Sequence, residues 1–361
     1  MNKETISLRQ AIYSIMLFIF GSSIVLGVSG TAEQDAWISL LLAMAGTFPL
    51  FMMYARIIRL YPETDFFDIV TSLFGNIIGK IVIVLFTWYA IHLAALVLRN
   101  FSEFLQIVSM PETPELPLMA ALVLVTAYLA KGSTSVLGKW SVVMFPIVAI
   151  VILLTVVLSV KDMDLSNLLP IMEKGWVPVL EGAFQIVTFP FAETVVFLCL
   201  AGSIKKQDSP YKIYGYSLLF GGLFLVLVMV RNIAILGPTM VGISYFPSYT
   251  TARILRLGDF LSRIEGTITM NFLLSGIVKI AICLAAGAKG IAKLFNINAY
   301  KNMLMPVSML VLALCAIVYK SVMEMFGFLK YYQFYAIPFQ IIIPLAVWIT
   351  AEIKAKKKAA A

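Results

Sequence analysis

The residues of this chain with the means to do chemistry are few, and most stand inside long apolar runs. Glu193 closes the stretch Thr188-Phe189-Pro190-Phe191-Ala192-Glu193, and His92, the single histidine, has Trp88 one helical turn before it and Tyr89 beside that. Lys279 follows Thr267, Thr269, Asn271 and Ser275, with Arg263 and Glu265 ahead of them. An ionisable group deep in an apolar run is costly unless it faces a cavity or a partner. Glu193 therefore reads as functional, the alternative being a protonated, packed carboxyl or one bonded to nearby backbone. His92 fits either a wall of a site or a packed core histidine. One histidine makes neither a metal centre nor a catalytic triad, and Cys199, Cys283 and Cys315 lie in apolar runs without CxxC spacing, as packing residues do. With no paired intramembrane aspartates and no nucleophile beside a base, the chain reads as a non-enzyme with no cofactor and no metal.

The elements that must position these residues follow from composition. Of 361 residues, 61% are hydrophobic and 13% charged, with a mean hydropathy of +0.96. Such a chain has lipid as its solvent, and only helices or closed barrels satisfy the backbone there. The unbroken apolar run Val142–Val160 excludes the alternating pattern of a barrel strand. The sequence predicts an all-α integral membrane protein, a single transmembrane domain of ten helices. The predicted spans are Arg9–Gly30, Ala36–Ile58, Ile77–Phe104, Leu116–Lys131, Leu137–Val160, Trp176–Ser203, Ile213–Leu236, Ile264–Ala286, Met303–Met323 and Tyr332–Ile353. The polar start and long first span argue against a cleaved signal. Most of the 27 Lys and Arg residues fall on one side if both termini are cytoplasmic. The net charge of +8 then suits an anionic lipid bilayer and carries no inference to nucleic acid.

Two spans carry interruptions a dozen residues in: Gly21-Ser22-Ser23 in the first, and Phe189-Pro190-Phe191 in the sixth. Gly and Ser weaken a helix, and Pro removes a donor and clashes with the preceding turn. The first and sixth spans open two sets of five, and an odd number of crossings inverts the second set. Corresponding breaks in inverted repeats, about 9–160 and 176–353, point to a ligand site at mid-membrane. Amides freed at a half-helix N-terminus suit a carboxylate, and freed carbonyls with Glu193 suit an ammonium. An amino acid has both. The ligand site is thus assigned to Gly21, Ser22, Ser23, Trp88, Tyr89, His92, Phe189, Pro190, Phe191, Glu193 and Thr269.

Lys279 lies about 24 Å below Arg263 along a helix. It either snorkels to the inner surface or supplies a fixed ammonium where sodium-coupled carriers bind a cation, as an ion-substituting or coupling group together with Glu193. Arg263 and Glu265 are placed at an outer gate. Arg231 and Arg99 fall near outer span ends and read as snorkelled or paired. The segments Tyr61–Lys80 and Gly237–Ser262 have apolar residues at helical spacing and are expected to lie along the two membrane faces, with or without a gating role.

Several of these motifs resemble the spore-germination permease family, whose members are the B subunits of nutrient germinant receptors. The resemblance rests on Gly237-Pro238, Phe246-Pro247-Ser248-Tyr249, Ala252-Arg253-Ile254, Gly258-Asp259-Phe260-Leu261 and Arg263-Ile264-Glu265. Asp35-Ala36-Trp37, Tyr61-Pro62, Pro111-Glu112-Thr113-Pro114 and Phe189-Pro190-Phe191 with Glu193 agree, whereas Ala192 stands where glycine is common and Phe272 where tryptophan is common. The resemblance implies the amino-acid/polyamine/organocation transporter fold, LeuT-like, with discontinuous helices one and six. It also implies the inner membrane of a spore, A and C partner subunits, and a small nutrient, often an amino acid, that triggers germination. A proton-coupled amino-acid transporter of the same fold, titrating Glu193 or His92, is the alternative.

Overall fold

The computed structural model describes residues 5–27, 30–255 and 265–360. Twelve α-helices are named in chain order: α1 Leu8–Leu26, α2 Ala36–Leu60, α3 Phe66–Val108, α4 Glu115–Lys131, α5 Thr134–Ser159, α6 Trp176–Ile186, α7 Pro210–Ile243, α8 Pro247–Ile254, α9 Glu265–Leu294, α10 Leu304–Val318, α11 Val322–Ile337 and α12 Ile343–Ala360. Nine helical stretches among the described residues are long and apolar enough to cross a membrane. The shorter α4 spans about 26 Å at 1.5 Å per residue and packs among them as the tenth.

Local chemistry explains most boundaries. Ser7 starts α1 with a capping box, its Oγ accepting from Gln10 N while Gln10 Oε1 accepts from Ser7 N at 2.8 Å. α3 begins earlier than expected because Phe66–Phe74 is already helical and turns into the long span at Gly75, where φ is +74°. This first part packs one face against the bundle. Phe66, Phe67, Ile69 and Val70 are buried, and Asp65 and Asp68 pair with Lys289 and Lys293 at the end of α9. The segment after Gly237 likewise tucks inward, with Pro247, Ser248, Thr251 and Ala252 of α8 buried. The last span starts at Val322 rather than Tyr332, because Ser321 caps it by accepting from Glu324 N and Pro338 produces a wide turn without ending the helix.

The sixth span is broken where the sequence predicts the break. α6 stops at Ile186, Phe189 is extended (φ −137°, ψ 112°), and a tighter helical segment runs over Ala192–Ser203. The first span differs from expectation. α1 is regular through Gly21-Ser22-Ser23 and ends at Gly27, where φ is +69°. Ser23 Oγ bonds back to Ile19 O at 2.6 Å, an arrangement compatible with an intact helix.

Close packing of α3 on α9 depends on Gly276. A Cβ there would fall 1.7 Å from Phe101 Cζ, and Phe101 is held by stacking on Phe272 at 3.8 Å. Gly276→Ala is expected to destabilise the protein by about 1–3 kcal/mol through overpacking. The thermal midpoint of the purified variant checks this, and a midpoint equal to that of the parent would show that Phe101 relaxes freely.

Candidate functional site

Glu193, just past the break, is 1% exposed, and Lys279 on α9 is fully buried. Lys279 Nζ donates to Glu193 Oε2, so the lysine does not snorkel, and the two candidate coupling groups form one ion pair. Gly21 of α1 makes the pair possible. A Cβ at Gly21 would lie 2.6 Å from Lys279 Cδ and 3.0 Å from its Cβ, so only a glycine lets the lysine stem pass. The ammonium also sits over the rings of Phe18 and Phe189, at 5.0 and 5.3 Å. Such cation–π contacts favour a desolvated charge.

The carboxylate is held from its other side as well. Tyr332 of α11 donates to Glu193 Oε1 at 2.6 Å, and its hydroxyl lies 3.1 Å from that of Tyr89. Gln340 Nε2, in the wide turn of the last span, donates at 2.8 Å both to Tyr89 Oη and to Thr188 O. Thr188 O belongs to the interrupted turn of the sixth span, where regular pairing is lost. Tyr54 donates to the Gln340 carbonyl at 2.5 Å. A buried polar network of this kind stabilises only when its members are satisfied together.

Above the pair, toward the end of the bundle that carries Gly27, lies a cavity of about 360 Å³. Phe189 and Tyr332 line it and also touch the pair, so they form its floor. Ser23, Thr188, Asn232, Ser244 and Ser248 give it polar wall, and Leu225, Val228 and Met229 give it apolar wall. A volume near 300 Å³ or more suits a small molecule.

The structure thus brings together Gly21, Ser23, Tyr89, Phe189, Glu193 and Lys279, with Pro190 beside them in the break. Ser22 and Phe191 are fully buried without lining the cavity. Trp88 is 45% exposed and stacks on His92 at 5.3 Å, while His92 packs edge-on against Tyr335 and Phe328, so both face an aromatic cluster on the outside of α3. Thr269 bonds back to Glu265 O and, like Glu265, is absent from the cavity wall. Arg263 lies outside the described residues, as do Gly258-Asp259-Phe260-Leu261 and Ile264. Arg99 is paired, with Glu103 at 2.6 Å and Glu115 at 2.8 Å. Arg231 does not snorkel: it is 1% exposed. Tyr332 and Gln340 are site residues that the sequence does not announce, because tyrosine and glutamine in an apolar helix give no signal until a partner carboxylate is known.

Comparison with known proteins adds to this geometry. The family model described as "Spore germination protein" matches residues 5–325. Spore germination protein KB of Bacillus subtilis is 27% identical, over 99% of this chain and 97% of its own length. The putative spore germination protein YfkT of the same species is 23% identical, over 90% and 89%. Among solved structures, MhsT in complex with L-phenylalanine shares the fold with a TM-score of 0.68 at 11% identity, covering 96% of this chain and 89% of that one. Mhp1, a nucleobase-cation-symport-1 family transporter in a closed conformation with bromovinylhydantoin, gives 0.66 at 12% identity, covering 91% and 75%.

Proposed function

Because the chain belongs to the spore germination permease family, we propose that it is the germinant-sensing membrane subunit of a spore nutrient receptor, binding a small nutrient, an amino acid, in the cavity over the broken sixth span. The observation that carries this reading is the shared floor. Phe189 and Tyr332 face the cavity on one side and the Lys279–Glu193 pair on the other. A ligand that moves these rings alters the hydrogen bonding of the pair, which joins α9 and α11 to the sixth span. A nutrient shifts such an equilibrium only through different affinity for its two states. The chain would sit in the inner membrane of the spore with both termini cytoplasmic, beside A and C subunits that receive the shift. Lys279 then stands where a carrier of this fold would need a bound cation.

Thermal unfolding of the purified chain against amino acids, sugars and nucleosides tests the reading. A ligand at 100 times its Kd stabilises by about 2.7 kcal/mol. Vesicles containing this chain alone should show binding of the labelled ligand without net uptake; uptake driven by a proton gradient would establish the transporter instead. Ser23 faces the cavity with a small side chain, so Ser23→Trp fills that space. The variant is expected to lose the ligand-induced shift while keeping a thermal midpoint close to the parent's, and an undiminished shift would place the ligand elsewhere.

A further inference from the structure

Arg231 of α7 is a buried cation with no anion beside it among the described residues. Its Nη1 donates to Thr155 Oγ1 at 2.9 Å, and its Nε and Nη2 donate to Asn232 Oδ1 at 3.2 and 2.7 Å. Both acceptors are neutral. The other buried cations among the described residues, Arg99 and Lys279, each face a carboxylate. An isolated charge in a membrane interior is expensive and marks a functional place. The arginine also orients its neighbour. A guanidinium only donates, so the side-chain oxygen of Asn232 must point to it, and Thr251 Oγ1 donates to that same oxygen at 3.1 Å. The amide nitrogen is turned the other way, where it donates to Ser248 Oγ at 3.0 Å. Asn232 and Ser248 both line the cavity. Among the described residues no aspartate or glutamate lines it, and its single charged lining residue is Lys330.

We infer that the cavity takes its ligand by a carboxylate group, seated on the amide nitrogen of Asn232 with the Arg231 guanidinium behind it as counter-charge. Asn232 is the contact, and Arg231 is a positioning residue that supplies the field. The rest of the ligand meets Leu225, Val228 and Met229, which suits a hydrocarbon body. The class is a small carboxylic acid with an apolar side chain, and an aliphatic amino acid belongs to it. Sugars and nucleosides do not. This inference rests on the reading of the cavity as the nutrient site and adds which end of the nutrient is recognised.

The test is thermal unfolding of the full-length protein with the twenty L-amino acids, their carboxamides, glucose and inosine. The strongest stabiliser should be an amino acid, with its carboxamide weaker by about tenfold to hundredfold, the worth of one hydrogen bond to a charged group. Asn232→Asp separates recognition from folding. It places a carboxylate beside Arg231, so the thermal midpoint should hold or rise, while amino-acid binding falls by about the same factor as the charges repel. Arg231→Gln should weaken the amino acid and bring its affinity close to that of the carboxamide. Equal stabilisation by acid and amide, or undiminished binding of the acid by Asn232→Asp, overturns the inference. Stabilisation by glucose or inosine alone overturns it and leaves the nutrient site standing. No stabilisation by any probe removes both.

Discussion

Lys279→Met is expected to destabilise the purified protein by about 3–5 kcal/mol, the usual cost of removing one partner from a buried ion pair. The substitution keeps an unbranched apolar stem past Gly21, one heavy atom shorter, so packing is nearly conserved. What it removes is the counter-charge of a carboxylate that is 1% exposed. Adding Glu193→Gln should recover most of the loss, since a glutamine oxygen still accepts from Tyr332 and no charge remains to be compensated. The thermal midpoints of the parent, the two single variants and the double variant form a cycle that measures the coupling. A double variant no more stable than Lys279→Met would mean that packing of the lysine stem, and not its charge, carries the cost.

The second large effect is expected at Gly21. Gly21→Leu places a branched side chain where the Lys279 stem now runs, and its Cβ alone would come within 2.6 Å of Lys279 Cδ. Either α1 and α9 separate or the lysine leaves Glu193. In both cases the floor of the cavity loses its support, because Phe189 packs on the ammonium and Tyr332 on the carboxylate. The variant should reach the membrane yet show no response at any nutrient concentration, read as germination of spores carrying it or as ligand-induced thermal shift. Glu193→Gln alone should do the same while disturbing packing less. A normal dose dependence in both would exclude the pair from signalling.

The two expected breaks and the pair show how far a sequence of this kind can be read. Pro190 is legible because a proline inside a helix removes a donor wherever it stands. Gly21 is ambiguous, since a glycine in a membrane helix serves a break or a close approach equally well, and here it serves the second. The depth of Glu193 is evident from the apolar run around it, but its partner lies 86 residues away, and periodicity carries no information about such pairings. Lys279 is open to snorkelling only while its neighbours are unknown. Trp88 and Tyr89 are adjacent and therefore face different sides of α3. In lipid the outer face is as apolar as the inner one, so hydropathy does not say which of them turns inward. Arg231 reads as close to a span end because the predicted span stops at Leu236; the helix continues past the Gly237 kink to Ile243, and α8 folds over it.

Tyr332 has one further consequence. Its side chain lines the cavity and its hydroxyl donates to Glu193, so one residue borders both the cavity and the buried ion pair. On the proposed reading, a ligand in the cavity would be registered at Glu193 by a rotation of that ring, with no solute passing between them. On the same reading, removing one atom there, the phenolic oxygen, would uncouple reception from relay.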